Sequence, residues 1–314
     1  MREIIIQKND ANQRLDKFLF KYLFNAPQSL IYKGIRKGRI KVNGKKSDIS
    51  YKLQQDDQLQ LYLNDEIFES ESNFDFLNIK YSLNIVYEDE NILVANKPAG
   101  LLVHDDINEK KHTLINYIQA YLYQKGEYSP EEEHSFAPAL CHRIDRNTAG
   151  LVITAKTAEA LRIMNDKIKH REIDKFYLAK VCGKISPPSG ELVHHLFKDS
   201  KQNRVYVYDK PKPGTSQAVS RYKTINFDGE HTLIEVHLIS GRTHQIRAQF
   251  AHIGHPLAGD GKYGGKPQSS VGCADSSFAK GALQYQQLVA YKLVFNFTTP
   301  AGELEYLKGM TMKI

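Results

Sequence analysis

The chain has 314 residues, 41% hydrophobic and 25% charged, with a net charge of +7, an ordinary balance for a globular protein with a sizeable core and room for a small accessory domain. No apolar run approaches the roughly 20 residues that span a bilayer, and the opening MREIIIQKNDANQRLD holds too short an apolar patch for a secretion signal, so a cytoplasmic protein with no membrane partner is expected. The three cysteines, Cys141, Cys182 and Cys273, are odd in number and include no CxxC pair, which argues against a disulfide framework or zinc knuckle and for reduced, semi-buried thiols.

In chain order, Leu15, Phe18, Leu19, Tyr22 and Leu23 recur at helical spacing, with Asn12 placed to cap the start. Ser29 is a second N-cap candidate, and Gly38 stands where a C-terminal glycine would end that helix. Ile40 and Val42 alternate before Asn43-Gly44, a strong hairpin signal, and Leu59, Leu61 and Leu63 alternate in a later strand. Between Ser29 and Lys52 the basic residues Lys33, Arg36, Lys37, Arg39, Lys41, Lys45, Lys46 and Lys52 face only Asp48. They fall on the second helix and the hairpin, one small surface. A charge run is usually a solvated face, and alone it favours that reading over nucleic-acid binding; a basic module followed by an acidic stretch suggests two units with different partners. The sign then reverses, with Asp65, Glu66, Glu69, Glu71, Asp75, Glu88, Asp89 and Glu90 against Lys80. The predicted division is a small basic module over 1–66, a linker over 67–82 in which Phe74, Phe76 and Leu77 are available for docking, and a larger second unit over 83–314.

From Asn84 onward IVYE and ILVAN flank a turn, and Thr113 is placed to cap a helix carrying Leu114, Ile115, Ile118 and Leu122. GEYSPEEEHSFAP reads as a loop, LVITAK as a short apolar strand, and Thr157 as the cap of AEALRIMNDKIKHR. FYLAKVCG, SRYKTINF, HTLIEVHLIS and LVFNF read as further strands. Strands cluster rather than alternate with helices, so the expected class is α+β, a largely antiparallel mixed sheet preceded by a helix-helix-hairpin module.

Three stretches carry candidate chemistry. In Cys141-His142-Arg143-Ile144-Asp145-Arg146, a polar loop before a buried strand, one carboxylate lies between two arginines. Close opposite charge keeps a carboxylate ionised; this suits a nucleophile and equally a structural ion pair, and spacing alone favours the latter. In Gly241-Arg242-Thr243-His244-Gln245-Ile246-Arg247 a glycine turn opens a short helix whose arginines could meet a carboxylate or phosphates. In Lys175-Phe176-Tyr177, strand alternation puts Lys175 and Tyr177 on one face; a lone tyrosine there is more often filler.

Together the stretches resemble one family. NIVYEDENILVANKPAGLLVH, HRIDRNTAGLVITAK, KFYLAKV and GRTHQIRAQFAHIGHPLAGDGKYG resemble, in order, the blocks of the RluA-type pseudouridine synthases, and RLDKFL through IRKGRIKVNGKK and DDQLQL resembles the RNA-binding domain of ribosomal protein S-four. The resemblance runs from about Gln13 to Pro300. It implies isomerisation of uridine to its carbon-linked isomer without a cofactor or metal, in RNA and expectedly in large-subunit ribosomal RNA, by a monomer. It implies Asp145 as the catalytic aspartate, Arg143 as the residue that displaces the base, Tyr177 as the active-site tyrosine packing on the base, and Arg247 as the ion-pair partner of Asp145. His142, Arg146, Lys175, Arg242 and His244 belong to the same blocks and are taken as substrate-facing, as are Lys33, Arg36, Lys37, Arg39 and Lys41 in the small domain. Lys97-Pro98 and Gly100 match a loop that shapes the pocket. Ala149 replaces a usual serine, Ile144 a leucine, Asn147 an aspartate and Val289 a histidine.

Rival readings fare worse. HRID differs from the kinase HRD loop by an inserted residue, and no DFG or phosphate loop is present. A metal hydrolase would need His194-His195, which point to opposite sides of a strand, or His252 and His255, separated by Gly254. The remaining alternative is a non-catalytic RNA-binding assembly factor with a synthase-like domain.

Overall fold

The computed structural model describes residues 1–64, 67–68, 74–264 and 285–314. Cys273 and part of the predicted linker lie outside them. The chain divides into two compact units, Met1–Lys80 with Asn116–Ala139 and Lys156–Glu159, and Tyr81–Ile115 with Leu140–Ala155 and Ala160–Ile314.

In the first unit, β1 (Arg2–Ile5), β2 (Ile40–Val42), β3 (Lys45–Lys46) and β4 (Gln58–Leu61) form an antiparallel sheet in the order β1-β4-β2-β3. Helices α1 (Leu15–Tyr22) and α2 (Gln28–Arg36) share its core, in which Leu15, Phe18, Leu19, Ile31, Ile35, Ile40, Leu59 and Leu61 are buried. The helical spacing of α1 therefore marks its inward face, as expected.

Asn12 is not the cap of α1. It sits at φ 61°, a left-handed position that asparagine tolerates, and Arg14 stands at the N-cap. Ser29 lies inside α2, which begins after Pro27. Gly38 does end α2: at φ 68° it donates its N–H to Ile35 O while Arg39 N reaches Gly34 O, the paired bonds of a Schellman motif. Asn43 and Gly44, both at positive φ, make the hairpin turn. β1 was not expected, because Ile4 alone of its residues is buried and one residue shows no alternation.

The acidic stretch read as a loop, 126–138, is held within this same unit. Asn9 Nδ2 donates to Glu133 Oε1 at 2.8 Å, Gln13 Nε2 to Ser135 Oγ at 2.7 Å, and Ser135 Oγ to Asp10 Oδ1 at 2.6 Å.

The second unit is built on a sheet of β5 (Ile85–Glu88), β6 (Ile92–Lys97), β8 (Ala149–Ala155), β9 (Ile173–Cys182), β10 (Ser189–Asp199), β11 (Arg204–Tyr208), β12 (Ser216–Phe227), β13 (His231–Leu238) and β14 (Leu288–Phe295). Its order is β11-β10-β12-β13-β9-β14-β8-β6-β5, with short β7 (Ala139–Leu140) on β8 and β15 (Thr311–Lys313) on β14. Along this order the β8–β14 pairing is parallel and the others are antiparallel. Helices α4 (Ala158–Lys169) and α5 (Gln245–His252) belong mainly to this unit, whereas α3 (Leu114–Gln124) falls mostly in the first; Ala160 and Met164 of α4 are buried among Leu151, Ile153, Leu293 and Phe295. The strands β10 and β11 were not read as such from the sequence, since β10 carries polar and apolar residues on both faces.

One row across this sheet positions candidate site residues. Lys97 of β6 pairs with Gly150 of β8, Gly150 with Ala290 of β14, and Ala290 with Tyr177 of β9. Laterally paired residues share a face, so Lys97 and Tyr177 project together across two small residues. Gly150 is required there: at φ 117°, an added Cβ would lie 2.2 Å from Ala290 O.

Candidate active site

The Asp145 loop leads into β8, and local bonds fix it. Cys141 N donates to Ile153 O at 2.8 Å, Ile153 N to His142 Nε2 at 3.2 Å, and Thr148 N to Asp145 O at 3.1 Å, which closes the turn. From below, Lys97 Nζ donates to Pro98 O, Leu101 O and Arg146 O at 2.8, 2.7 and 2.8 Å. Burial pulls the Lys97 pKa down to about 7, opposed by the Asp145 carboxylate. Three carbonyl acceptors are matched only by an ammonium with three N–H groups. Gly100 N and Arg146 Nε exchange bonds with Arg146 O and Gly100 O at 2.9 and 3.0 Å, strapping the two loops together.

Asp145 takes its ion pair from α5. Arg247 Nη1 lies 3.0 Å from Asp145 Oδ2, while Arg247 Nε and Nη2 form a bidentate pair with Asp260 at 2.7 and 2.9 Å. The Asp260 side chain is fully buried and that of Arg247 is 8% exposed, whereas Asp145 keeps 25% of its surface. Burial disfavours the charge on Arg247, but Asp260 and Asp145 more than offset it and raise the guanidinium pKa. Arg247 is thereby a fixed cation holding a reachable carboxylate.

Arg143 and Arg146 do not make that pair, contrary to the expectation from spacing. Both are exposed, Arg146 being spent on Gly100 O, because a turn sends neighbours along the chain in different directions. The partner comes instead from 102 residues away.

Tyr177 is 6% exposed. Burial, and next the charge on Asp145, raise its pKa, so the group present is a neutral phenol, able to donate a proton rather than standing as a phenolate. Lys175 shares its face, and burial lowers that lysine's pKa. His142 turns inward; burial, and then Lys175, push its pKa down to about 3, so it is a neutral acceptor for Ile153 N rather than a cation for phosphate.

The GRTHQ turn is built by buried Gln245. Its Oε1 accepts from Ser240 Oγ and Arg242 N, and its Nε2 donates to Val219 O and Ser220 Oγ. Arg242 is exposed, donating to Gln217 O at 3.2 Å beside a surface hollow of about 200 Å³ shared with Lys198 and Ser216. His244 occupies a left-handed position at φ 49° and bonds through Nδ1 to Tyr263 Oη at 2.9 Å; burial lowers its pKa. In the first unit, Lys33, Arg36, Lys37 and Arg39 are exposed, and Lys41 lies over the Tyr62 ring.

A model of the RNA pseudouridylate synthase family matches residues 91–252, and an S4 domain model matches 13–59. The chain belongs to the RNA pseudouridylate synthase family. The synthase match includes Asp145, Tyr177 and Arg247. An uncharacterized RNA pseudouridine synthase of Mycoplasma genitalium is 32% identical over 93% of this chain and 88% of its own. The ribosomal large subunit pseudouridine synthase D of Escherichia coli K12 is 33% identical over 86% and 78%, and synthase C of Vibrio parahaemolyticus 33% over 82% and 79%. Human RNA pseudouridylate synthase domain containing 4 shares the fold, with a TM-score of 0.54 at 19% identity over 74% of this chain and 87% of that one. The α+β class and the small N-terminal module expected from the sequence thus stand.

Two groups of this site escaped the sequence reading. Asp260 lies in the quoted block, flanked by two glycines, and its isolation as the one carboxylate of HPLAGDGKYG was the available signal. Tyr263, under the guanidinium of Arg247 at 5.3 Å, had no local signal. Elsewhere, His194 and His252, weighed above as metal ligands, are joined by Asp209, and each of the three brings one ligand atom within 4.8 Å of the others. Gln249 Nε2, donating to Leu192 O and Ala218 O, also faces His194 Nδ1 at 3.2 Å.

Proposed function

We propose that the chain converts specific uridines of large-subunit ribosomal RNA to pseudouridine, with Asp145 as the catalytic carboxylate and no cofactor. The observation that carries this reading is a partly exposed carboxylate on a rigid base: Asp145 is open on one side and tied through Arg247 to buried Asp260. The relatives named as ribosomal large subunit pseudouridine synthases support the target. The reaction breaks the bond from uracil N1 to ribose C1′ and forms one from C5 to C1′, with a proton lost at C5 and one gained at N1. Nothing is oxidised, so the chemistry needs positioned acid and base groups rather than a redox cofactor.

For a side chain to reach the glycosidic bond, the nucleotide must leave its stack, at a cost of a few kcal/mol. Exposed Arg143, two residues before Asp145, is placed to fill the gap. Asp145 then acts as oxygen nucleophile or assists departure of uracil, and Arg247 keeps it oriented and charged. The Tyr177 phenol packs on the base and moves a proton, a role contributing about 10²–10⁴-fold. The module over 1–66, joined by a linker over 67–82 to the catalytic domain over 83–314, supplies phosphate contacts through Lys33, Arg36, Lys37, Arg39 and Lys41. The protein works as a cytoplasmic monomer.

Pseudouridine mapping across total RNA, in cells lacking the gene and complemented with wild type or Asp145→Asn, tests the proposal. The expected result is modification in large-subunit ribosomal RNA restored by wild type alone, with RNA affinity equal in both proteins. Modification confined to transfer RNA would overturn the target. Modification restored by Asp145→Asn would replace the catalyst with a binding factor.

A further inference from the structure

The β10–β11 hairpin forms the edge of the catalytic sheet, and its outer face carries paired rings. Phe197 lies directly opposite Tyr206, and His195 opposite Tyr208, so strand alternation sets all four on one side. The other face is the buried one, with Leu196, Val205 and Ala218 packed on Ala248 of α5. Phe197 and Tyr206 keep 40% and 38% of their surface, although rings of this size usually lose most of theirs on folding. Lys212 Nζ sits 3.9 Å over Tyr208 and covers it, whereas among the described residues no cation is found over Phe197. Its neighbour is Gly214, where a Cβ would come within 3.6 Å of the ring.

Charge distinguishes this face from a protein-docking patch. Over the turn and the segment that follows, Lys201, Lys210 and Lys212 stand against Asp199 and Asp209, while Lys198 alternates onto the opposite face beside Leu196. Both acids are engaged, Asp199 by the N–H groups of Lys201 and Gln202 and Asp209 by His252. Open aromatic rings among cations match a polyanion that presents flat π faces, which is unstacked single-stranded nucleic acid.

The hairpin is also tied to the catalytic clamp. Val205 N donates to Tyr263 Oη at 2.9 Å and Lys262 Nζ to Asn203 O at 2.8 Å. Arg204 and Arg247 both lie over the Tyr263 ring, at 5.5 and 5.3 Å. A strand held on the ribbon would therefore be held by an element braced on the residues that anchor Asp145.

We infer that the Phe197–Tyr206 pair is a stacking platform for unpaired bases of the RNA substrate, with Lys201 and Lys212 on its phosphates. The inference rests on RNA being the substrate and adds a second contact surface, in the catalytic unit itself. A short oligouridylate carrying 4-thiouridine is bound to the full chain, irradiated, and its adducts are mapped by peptide mass spectrometry. Adducts are expected on the β10–β11 hairpin. Their yield should fall about tenfold or more in Phe197→Leu/Tyr206→Leu, since stacking on one ring is worth about five- to a hundredfold in affinity. Leucine preserves strand packing and apolar contact but removes the π face, and adducts elsewhere on the chain serve as the internal standard. Absence of hairpin adducts in wild type would overturn the platform, and so would an unchanged yield in the leucine variant. Self-association of the wild type that the leucine variant abolishes would reassign the face to a second copy. Asp145→Asn should keep the hairpin adducts, so failure of the platform and failure of the catalytic assignment give different results.

Discussion

Replacing Asp260 by Asn separates the support of the site from its chemistry. The Asp260 carboxylate is fully buried, accepts two N–H groups of Arg247 at 2.7 and 2.9 Å, and takes the backbone N–H groups of Lys262 and Tyr263 at 3.1 and 3.2 Å. Asparagine keeps one oxygen for the backbone but turns an NH₂ group toward Arg247 Nε, donor against donor. Removing one partner of a buried ion pair costs about 3–5 kcal/mol. Asp145 still meets Nη1, so the lower end, about 3 kcal/mol, is expected. For a unit of this size that lowers Tm by roughly 6–12 °C. The uncompensated guanidinium then settles on Asp145, so kcat should fall at least about tenfold while KM for RNA is nearly unchanged, because Asp260 touches no substrate. Thermal denaturation with single-turnover pseudouridine formation reads both. A Tm within about 2 °C of wild type, together with an unchanged rate, would show that the clamp does not hold the site.

Gly150→Ala should cost about 3 kcal/mol or more, read as lost thermal stability, because its Cβ would meet the Ala290 carbonyl at 2.2 Å in a backbone conformation unsuited to alanine. Glu172 should make the fold acid-sensitive: burial opposes its charge, but bonds from Lys167, Thr298 and Thr299 hold its pKa down to about 2. A depressed folded pKa means stability present above the unfolded value of 4.5 and lost as pH falls toward 2. Denaturant midpoints should track this, and Glu172→Gln should flatten the slope; equal slopes would refute it. In the first unit, alanine at Lys33, Arg36, Lys37 and Arg39 should flatten the salt dependence of RNA binding by about 0.7–0.9 of a unit per lost phosphate contact, measured by fluorescence anisotropy. An unchanged slope would take these residues out of the interface.

The parts of the molecule visible in the sequence are those dictated by neighbours within one turn or one strand. The Schellman end of α2 follows from Gly38, the hairpin from Asn43-Gly44, and the shared face of Lys175 and Tyr177 from alternation. The Arg247 partner of Asp145 was available only through the family resemblance. Spacing alone pointed to Arg143 and Arg146, since sequence distance says nothing about which of several arginines a loop will face. Lys97 shows the same limit from the other side. Its burial and its three carbonyl partners arise because β6 pairs with β8 and delivers its last residue beneath the Asp145 loop. The β10–β11 ribbon was missed because its partly exposed face breaks the apolar alternation by which a strand is recognised, and that exposure is the property that gives it a use.

The unequal exposure of the two carboxylates on Arg247 explains how one cation serves both structure and reaction. A guanidinium shared evenly between two reachable acids would be hydrated and mobile, and its pull on each would be screened. Here Asp260 removes one edge of Arg247 from water and fixes its plane, leaving Nη1 as the single donor aimed at Asp145. Asp145 thus gains orientation from a charge whose position it does not have to maintain. Its remaining lone pairs stay open on the exposed side, the side from which the proposed substrate base would reach it.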